Sequence, residues 1–168
     1  MIMSEKVKKY LLEAIPLIGV VIAVLLIKWL VVTPIQVKGN SMSPTLEEND
    51  IMILNKISYK IHGIKRFDVV VIDNDDSLLI KRVIGLPGET IKFEDNKLYV
   101  NGEFVEQDFL DSSKMTEDFQ VKIEEGYYFV MGDNRDISRD SREFGAFPYE
   151  KIQGTTSLIV FPFNRFGK

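Results

Sequence analysis

KLYVNGEFV, residues 97–105, decides how the chain is read. Leu98 and Val100 alternate with Lys97 and Tyr99, which is the two-residue period of a half-buried strand. Asn101-Gly102 then supplies two residues that accept positive φ, as the tight turn of an antiparallel hairpin requires. Outward from this hairpin, short β-branched runs broken by Gly, Asn and Asp continue in both directions. They are IQVKG at Ile35–Gly39, DIMILN at Asp50–Asn55, DVVVID at Asp68–Asp73, LLIKRVIGL at Leu78–Leu86, ETIKF at Glu89–Phe93, GYYFVMG at Gly126–Gly132 and TTSLIVF at Thr155–Phe161. Together they predict a mainly β domain. QDFLDSSKMTEDFQ, Gln107–Gln120, is polar and acidic and reads as an exposed excursion.

The N-terminal texture differs. AIPLIGVVIAVLLIKWLVV, residues 14–32, carries Lys28 as its only charge and approaches the roughly 20 residues needed to cross a bilayer. Lys28 lies near the far end beside Trp29, where its ammonium can snorkel to the interface. A buried core helix would show a polar face, and this run shows none. Lys6, Lys8 and Lys9 precede it, so the positive-inside rule assigns residues 1–13 to the cytoplasm, 14–32 to the cell membrane and 33–168 to the outside. No A-x-A-like site follows and Pro34 stands where cleavage would fall, so the helix is expected to persist as an anchor.

The 168 residues leave room for one span and one compact domain. With no cysteine, disulfides, thiolate metal sites and a cysteine nucleophile are excluded, and His62 is the only histidine. The net charge of -4 argues against nucleic acid as a partner.

Three segments are candidates for chemistry. GNSMSPTL, Gly39–Leu46, has the Gly and Pro that shape a turn around Ser41, although Ser-x-x-Pro near a strand end is also an ordinary turn. In LLIKRVIGLPGE, Leu78–Glu89, the strand period groups Lys81 with Leu79 and Val83, and Arg82 with Ile80 and Ile84. One of the two cations is therefore expected to be drawn toward the core. Lysine loses its charge readily when buried and arginine does not, so Lys81 is the better candidate base, against the commoner fate of a snorkelling lysine. MGDNRDISRDSREFG, Met131–Gly145, is dense enough in Asx, Ser and Arg to form a self-bonded platform, although a segment of mixed charges is more commonly a solvated loop.

In this order, behind one N-terminal apolar segment, the three segments resemble the signature boxes of bacterial type I signal peptidases, in the single-anchor layout of the Gram-positive form. The resemblance runs from the anchor to about Phe147. It implies an all-β domain of coiled antiparallel sheets with a membrane-facing surface. It also implies a serine endopeptidase acting on the signal peptides of secreted preproteins at the outer face of the bilayer, without metal or organic cofactor. By matching position, Ser41 is the nucleophile, Lys81 the general base and Ser138 the hydroxyl that orients the lysine. Asp140 and Arg142 fall on structural ion-pair positions, and Ile35, Val37, Leu79 and Ile80 on the apolar substrate groove. Gly39 replaces a serine that some members use as an oxyanion donor, leaving the Ser41 amide for that task. Two other readings stand beside this one: a Ser/Lys protease dedicated to one substrate or to itself, and a non-catalytic anchored β-domain. A Ser-His hydrolase through His62 ranks last, because YKIHGIKR reads as an exposed loop with no orienting carboxylate close by.

Overall fold

The structure, a computed structural model, describes residues 5–111 and 113–167, apart from the side chains of 5–8, 11, 12 and 26–32. A helix, α1 (Glu5–Val31), leads directly into strand β1 (Val32–Gln36). Then follow β2 (Ile51–Asn55), the short helix α2 (Ser58–His62), β3 (Val69–Asp73), β4 (Leu78–Gly85), β5 (Thr90–Glu94), β6 (Lys97–Val100) and β7 (Glu103–Val105). The chain closes with β8 (Phe119–Lys122), β9 (Tyr127–Met131), a one-turn helix α3 (Ser141–Phe144), β10 (Phe147–Pro148) and β11 (Ile152–Phe161). The strands pair antiparallel in a seven-stranded sheet of order β1-β2-β11-β3-β4-β9-β10 and a four-stranded sheet of order β7-β6-β5-β8.

The mainly β expectation is met, and β6 and β7 form the expected hairpin, with Asn101 at φ 51° and Gly102 at φ 88°. The differences lie at boundaries and in short elements. β1 begins at Val32 rather than Ile35, so the last residue of the expected span already pairs with Asn55. YKIHGIKR is not a plain loop, because its first half closes α2. Phe119 and Gln120, expected at the end of the excursion, are drawn into β8, where Phe119 stacks on Phe93 at 5.1 Å.

Along α1 the large apolar side chains from Ile15 to Leu25 are 50–68% exposed. Among the described residues no helix is long and apolar enough to cross a membrane. The side chains of 26–32, the end of the expected span, lie outside the described residues.

Three buried clusters hold the domain. Val70, Ile72, Val83 and Val130 form one, with Leu79 against it. Ile84, Ile91, Phe93, Leu98 and Met131 join the two sheets in the second. The third, Val37, Met42, Leu46, Met52 and Ile159, lies beneath the turn that follows β1, with Ile35 and Ile80 at its margin. β4 contributes to all three, so a strand central to the large sheet delivers its residues to every core.

Candidate active site

Ser41 sits on the turn between β1 and β2. Gly39 opens that turn at φ 78°, a left-handed conformation that side chains resist. The turn is pinned from below, because Met42 and Leu46 are buried in the third cluster and the Leu46 amide donates to the Met42 carbonyl at 2.9 Å. Burying the residue after Ser41 leaves Ser41 itself half-buried at the rim of a cavity.

Lys81 reaches the same point from β4, where it is paired across the sheet with Val70. It is only 3% exposed, and its Nζ donates to Ser41 Oγ at 2.7 Å and to the Ile80 carbonyl at 3.1 Å. Loss of solvation pushes its pKa down to about 8, against the opposing pull of Asp140 and Asp133. An amine so placed is a usable base near neutrality, whereas an ordinary lysine is not.

The expectation that one cation of the pair would turn inward is corrected: both do. Arg82 is 7% exposed, and its Nε and Nη2 donate to the two carboxylate oxygens of Asp133 at 2.8 and 2.5 Å. Nη1 donates to the Phe67 carbonyl at 2.9 Å, and the guanidinium lies 4.0 Å from the Phe109 ring centre. A planar fork matched to a carboxylate keeps its charge when buried, and that is why the neighbouring cations meet opposite fates. Asp133 was missed as a site residue, since a carboxylate in a mixed-charge loop does not disclose which cation it serves.

The Gly132–Arg142 loop is the expected self-bonded platform. Asp140 accepts from the Gly132 amide at 3.0 Å and from Arg142 Nε and Nη2, both at 2.9 Å. Burial opposes its ionisation, but Arg142 and the Gly132 amide outweigh burial and hold the carboxyl below the usual range. Arg142 also donates to the Arg135 carbonyl at 2.8 Å, so the ion pair closes the loop on itself. Asn134, not singled out from sequence, ties the platform to the Ser41 turn. Its amide donates to the Ser41 carbonyl at 3.0 Å, and its Nδ2 to the Asn40 carbonyl at 3.1 Å.

Ser138 departs from expectation. Its hydroxyl is buried in the platform, where it stands near enough to Asp140 to favour the ionised carboxylate, and it makes no hydrogen bond to Lys81. Its position is constrained through Gly132, where a Cβ would collide with both the Ser138 hydroxyl and the Ser41 carbonyl. Backbone on one side cannot yield as a flexible side chain does. Gly132→Ala is therefore expected to cost about 1–3 kcal/mol by overpacking. Displacement of Ser41 should also slow any chemistry there by on the order of 10²-fold. Thermal midpoint and turnover measured on the same preparation check the two effects separately.

A cavity of about 580 Å³ opens beside the pair, lined by Ser41 and Lys81 together with all four expected groove residues, Ile35, Val37, Leu79 and Ile80. Lys38 and Asp76 also line it, and neither was anticipated. His62 is exposed on α2, donates from Nδ1 to the Ser58 carbonyl at 3.1 Å, and lines a separate cavity of about 470 Å³ that contains neither Ser41 nor Lys81.

Comparison with known proteins yields consistent matches. The family described as signal peptidase, peptidase S26, matches residues 9–161. Signal peptidase I of Bacillus licheniformis is 40% identical over 165 residues, covering 90% of this chain and 88% of its own length. Signal peptidase I S of Bacillus subtilis strain 168 is 38% identical with 98% of each chain covered. Signal peptidase IB of Staphylococcus aureus is 38% identical over 95% of this chain and 94% of its own. The crystal structure of a signal peptidase I from Enterococcus faecalis V583 superposes with a TM-score of 0.50 and 33% identity, over 55% of this chain and 95% of that one.

Proposed function

We propose that this chain, a serine endopeptidase that belongs to the signal peptidase family, peptidase S26, removes the N-terminal signal peptides of secreted preproteins. Ser41 is the nucleophile in this reading and Lys81 the general base. The observation that carries it is the 2.7 Å contact between Lys81 Nζ and Ser41 Oγ inside a buried, apolar setting.

With the amine neutral, the same contact runs the other way, and the serine hydroxyl donates to the Nζ lone pair. Oγ attacks the scissile carbonyl carbon as its proton passes to Nζ, and the tetrahedral adduct collapses when Nζ returns that proton to the leaving amine. The acyl group remains on Oγ. Neutral Lys81 then takes a proton from water as its oxygen attacks the ester, and Nζ returns that proton to Oγ as the second adduct collapses, freeing Ser41 and the acid product. Arg82 serves no step of this sequence, and its pairing with Asp133 supports keeping a permanent cation away from the base. Ile35, Val37, Leu79 and Ile80 offer an apolar wall for the segment before the cut, Asp140 and Arg142 brace the platform, and Ser138 stands beside it as a hydroxyl available to turn toward Nζ. Purified full-length chain should cleave a preprotein carrying an A-x-A site, and Ser41→Ala should abolish cleavage while leaving the melting transition in place. Loss of activity together with loss of the fold would return Ser41 to a purely structural role.

The anchor belongs to the same proposal. Residues 14–32 cross the bilayer with Lys6, Lys8 and Lys9 on the cytoplasmic side, supported by the exposed apolar flank of α1 and its direct continuation into β1. Protease added to intact protoplasts should digest the domain of residues 33–168. A domain protected until the membrane is opened would reverse the orientation.

A further inference from the structure

Beyond the end of the family match at Phe161, the C-terminal turn returns to the nucleophile loop. Arg165, only 13% exposed at its side chain, lies against that loop and makes a dense set of bonds. Its Nε donates to both Asp50 oxygens, at 3.1 and 3.2 Å, and its Nη1 to Glu47 Oε1 at 2.8 Å. Its Nη2 donates to the Thr45 carbonyl at 3.1 Å and the Pro44 carbonyl at 3.4 Å.

The partners explain what this grip does. Pro44 and Thr45 belong to the Ser41 turn itself. Asp50, 1% exposed, accepts from the Glu47 amide at 2.9 Å, so its carboxylate closes the loop's far end. The Asp50 carbonyl accepts from the Val37 amide at 2.8 Å, and Val37 is a wall of the cavity beside Ser41. One guanidinium therefore fixes both the turn that carries the hydroxyl and the strand end that faces substrate. Asn134 holds the turn at Ser41, Arg165 holds it three residues further on, and Met42 is locked in the core between them. The anchor of Arg165 is itself short-tethered, because the Gly167 amide donates to the Ile159 carbonyl at 3.1 Å.

We propose that Arg165 is a positioning residue for Ser41, clasping the nucleophile loop from the C-terminus. The proposal rests on the reading of Ser41 as nucleophile. A lysine retains the charge but not the planar fork needed to reach two carboxylates and two carbonyls together.

The test uses the full chain in detergent, with active sites counted by a serine-directed acylating reagent so that turnover is expressed per competent site. Arg165→Met should lower kcat per site by about 10- to 100-fold, because a shift near 1 Å in a reacting group costs that order. The pH at which activity rises should not move, since Lys81 and its neighbours are untouched. Arg165→Lys should recover only part of the loss. Fewer titratable sites with native kcat at each would mean that Arg165 serves folding alone and would overturn the proposal. If Arg165→Met does not fold, Arg165→Lys decides: native kcat per site refutes the clasp. A fully active Ser41→Ala chain would instead refute the nucleophile, and the two failures are thereby distinguished.

Discussion

Lys81→Arg is expected to reduce preprotein cleavage by on the order of 10⁴-fold or more, although it keeps the cation at that position. Lys81 is placed to serve as a base because burial lowers its pKa to about 8. A guanidinium does not deprotonate in this range and cannot accept the serine proton. The native enzyme should show the corresponding sign in its pH profile. Below about 8 the amine is mostly protonated and activity is low, and activity climbs as the amine loses its proton. Initial rates between pH 6 and pH 10, for native chain and variant, test both halves. His62→Ala should leave the rate and profile nearly unchanged, since its ring lies outside the cavity that holds the pair. An active Lys81→Arg chain with the native profile would remove Lys81 from the mechanism.

The second large effect is on stability. Asp133→Ala removes the carboxylate that accepts two hydrogen bonds from Arg82, leaving a 7% exposed guanidinium without its counter-charge. Breaking one partner of such a buried pair costs about 3–5 kcal/mol, a large fraction of the usual stability of a domain this size. Denaturant unfolding of the detergent-solubilised chain should show a midpoint shift of that order. A consequence for catalysis follows from the same charge. Asp133 pulls the Lys81 pKa upward, so its removal should move the rising limb of the pH profile toward acid in whatever fraction remains folded. A midpoint within about 0.5 kcal/mol of native would mean that the pair contributes no more than a surface ion pair does.

The sequence discloses most of what is local. Asn101-Gly102 marks the β6–β7 hairpin because two consecutive residues at positive φ leave few chemical choices. Strand content follows from β-branched alternation, and Ile35, Val37, Leu79 and Ile80 line one cavity with Ser41 and Lys81. What stays hidden is set by partners distant in the chain. Nothing in DVVVID or TTSLIVF says that β11 inserts between β2 and β3, because strand order is decided by how three cores fill at once. The inward turn of Arg82 depends on Asp133, which lies on another strand's loop, and one residue's period cannot foretell it. α2 is only Ser58–His62, too short for a helical period to register. Ser138 lies close to Gly132 and Asp140, and the direction its hydroxyl takes is set by those packed neighbours rather than by anything in its own motif.

The adjacency of Lys81 and Arg82 also bears on how the large sheet finds its alignment. β4 is buried throughout its last five residues, from Lys81 to Gly85, so polar and apolar alternation gives little discrimination between neighbouring alignments with β3 and β9. Sliding the strand by one residue so that a guanidinium faces Ser41 would take it from Asp133 and would bring Leu86 into the place of Gly85, where even a Cβ collides with Ile123. The ion pair thus penalises the misaligned sheet by several kcal/mol, and the Ser41 hydroxyl loses its contact with the Lys81 amine. A mis-threaded molecule then loses the Arg82–Asp133 ion pair and the Lys81–Ser41 contact together, so a single pairing event decides both.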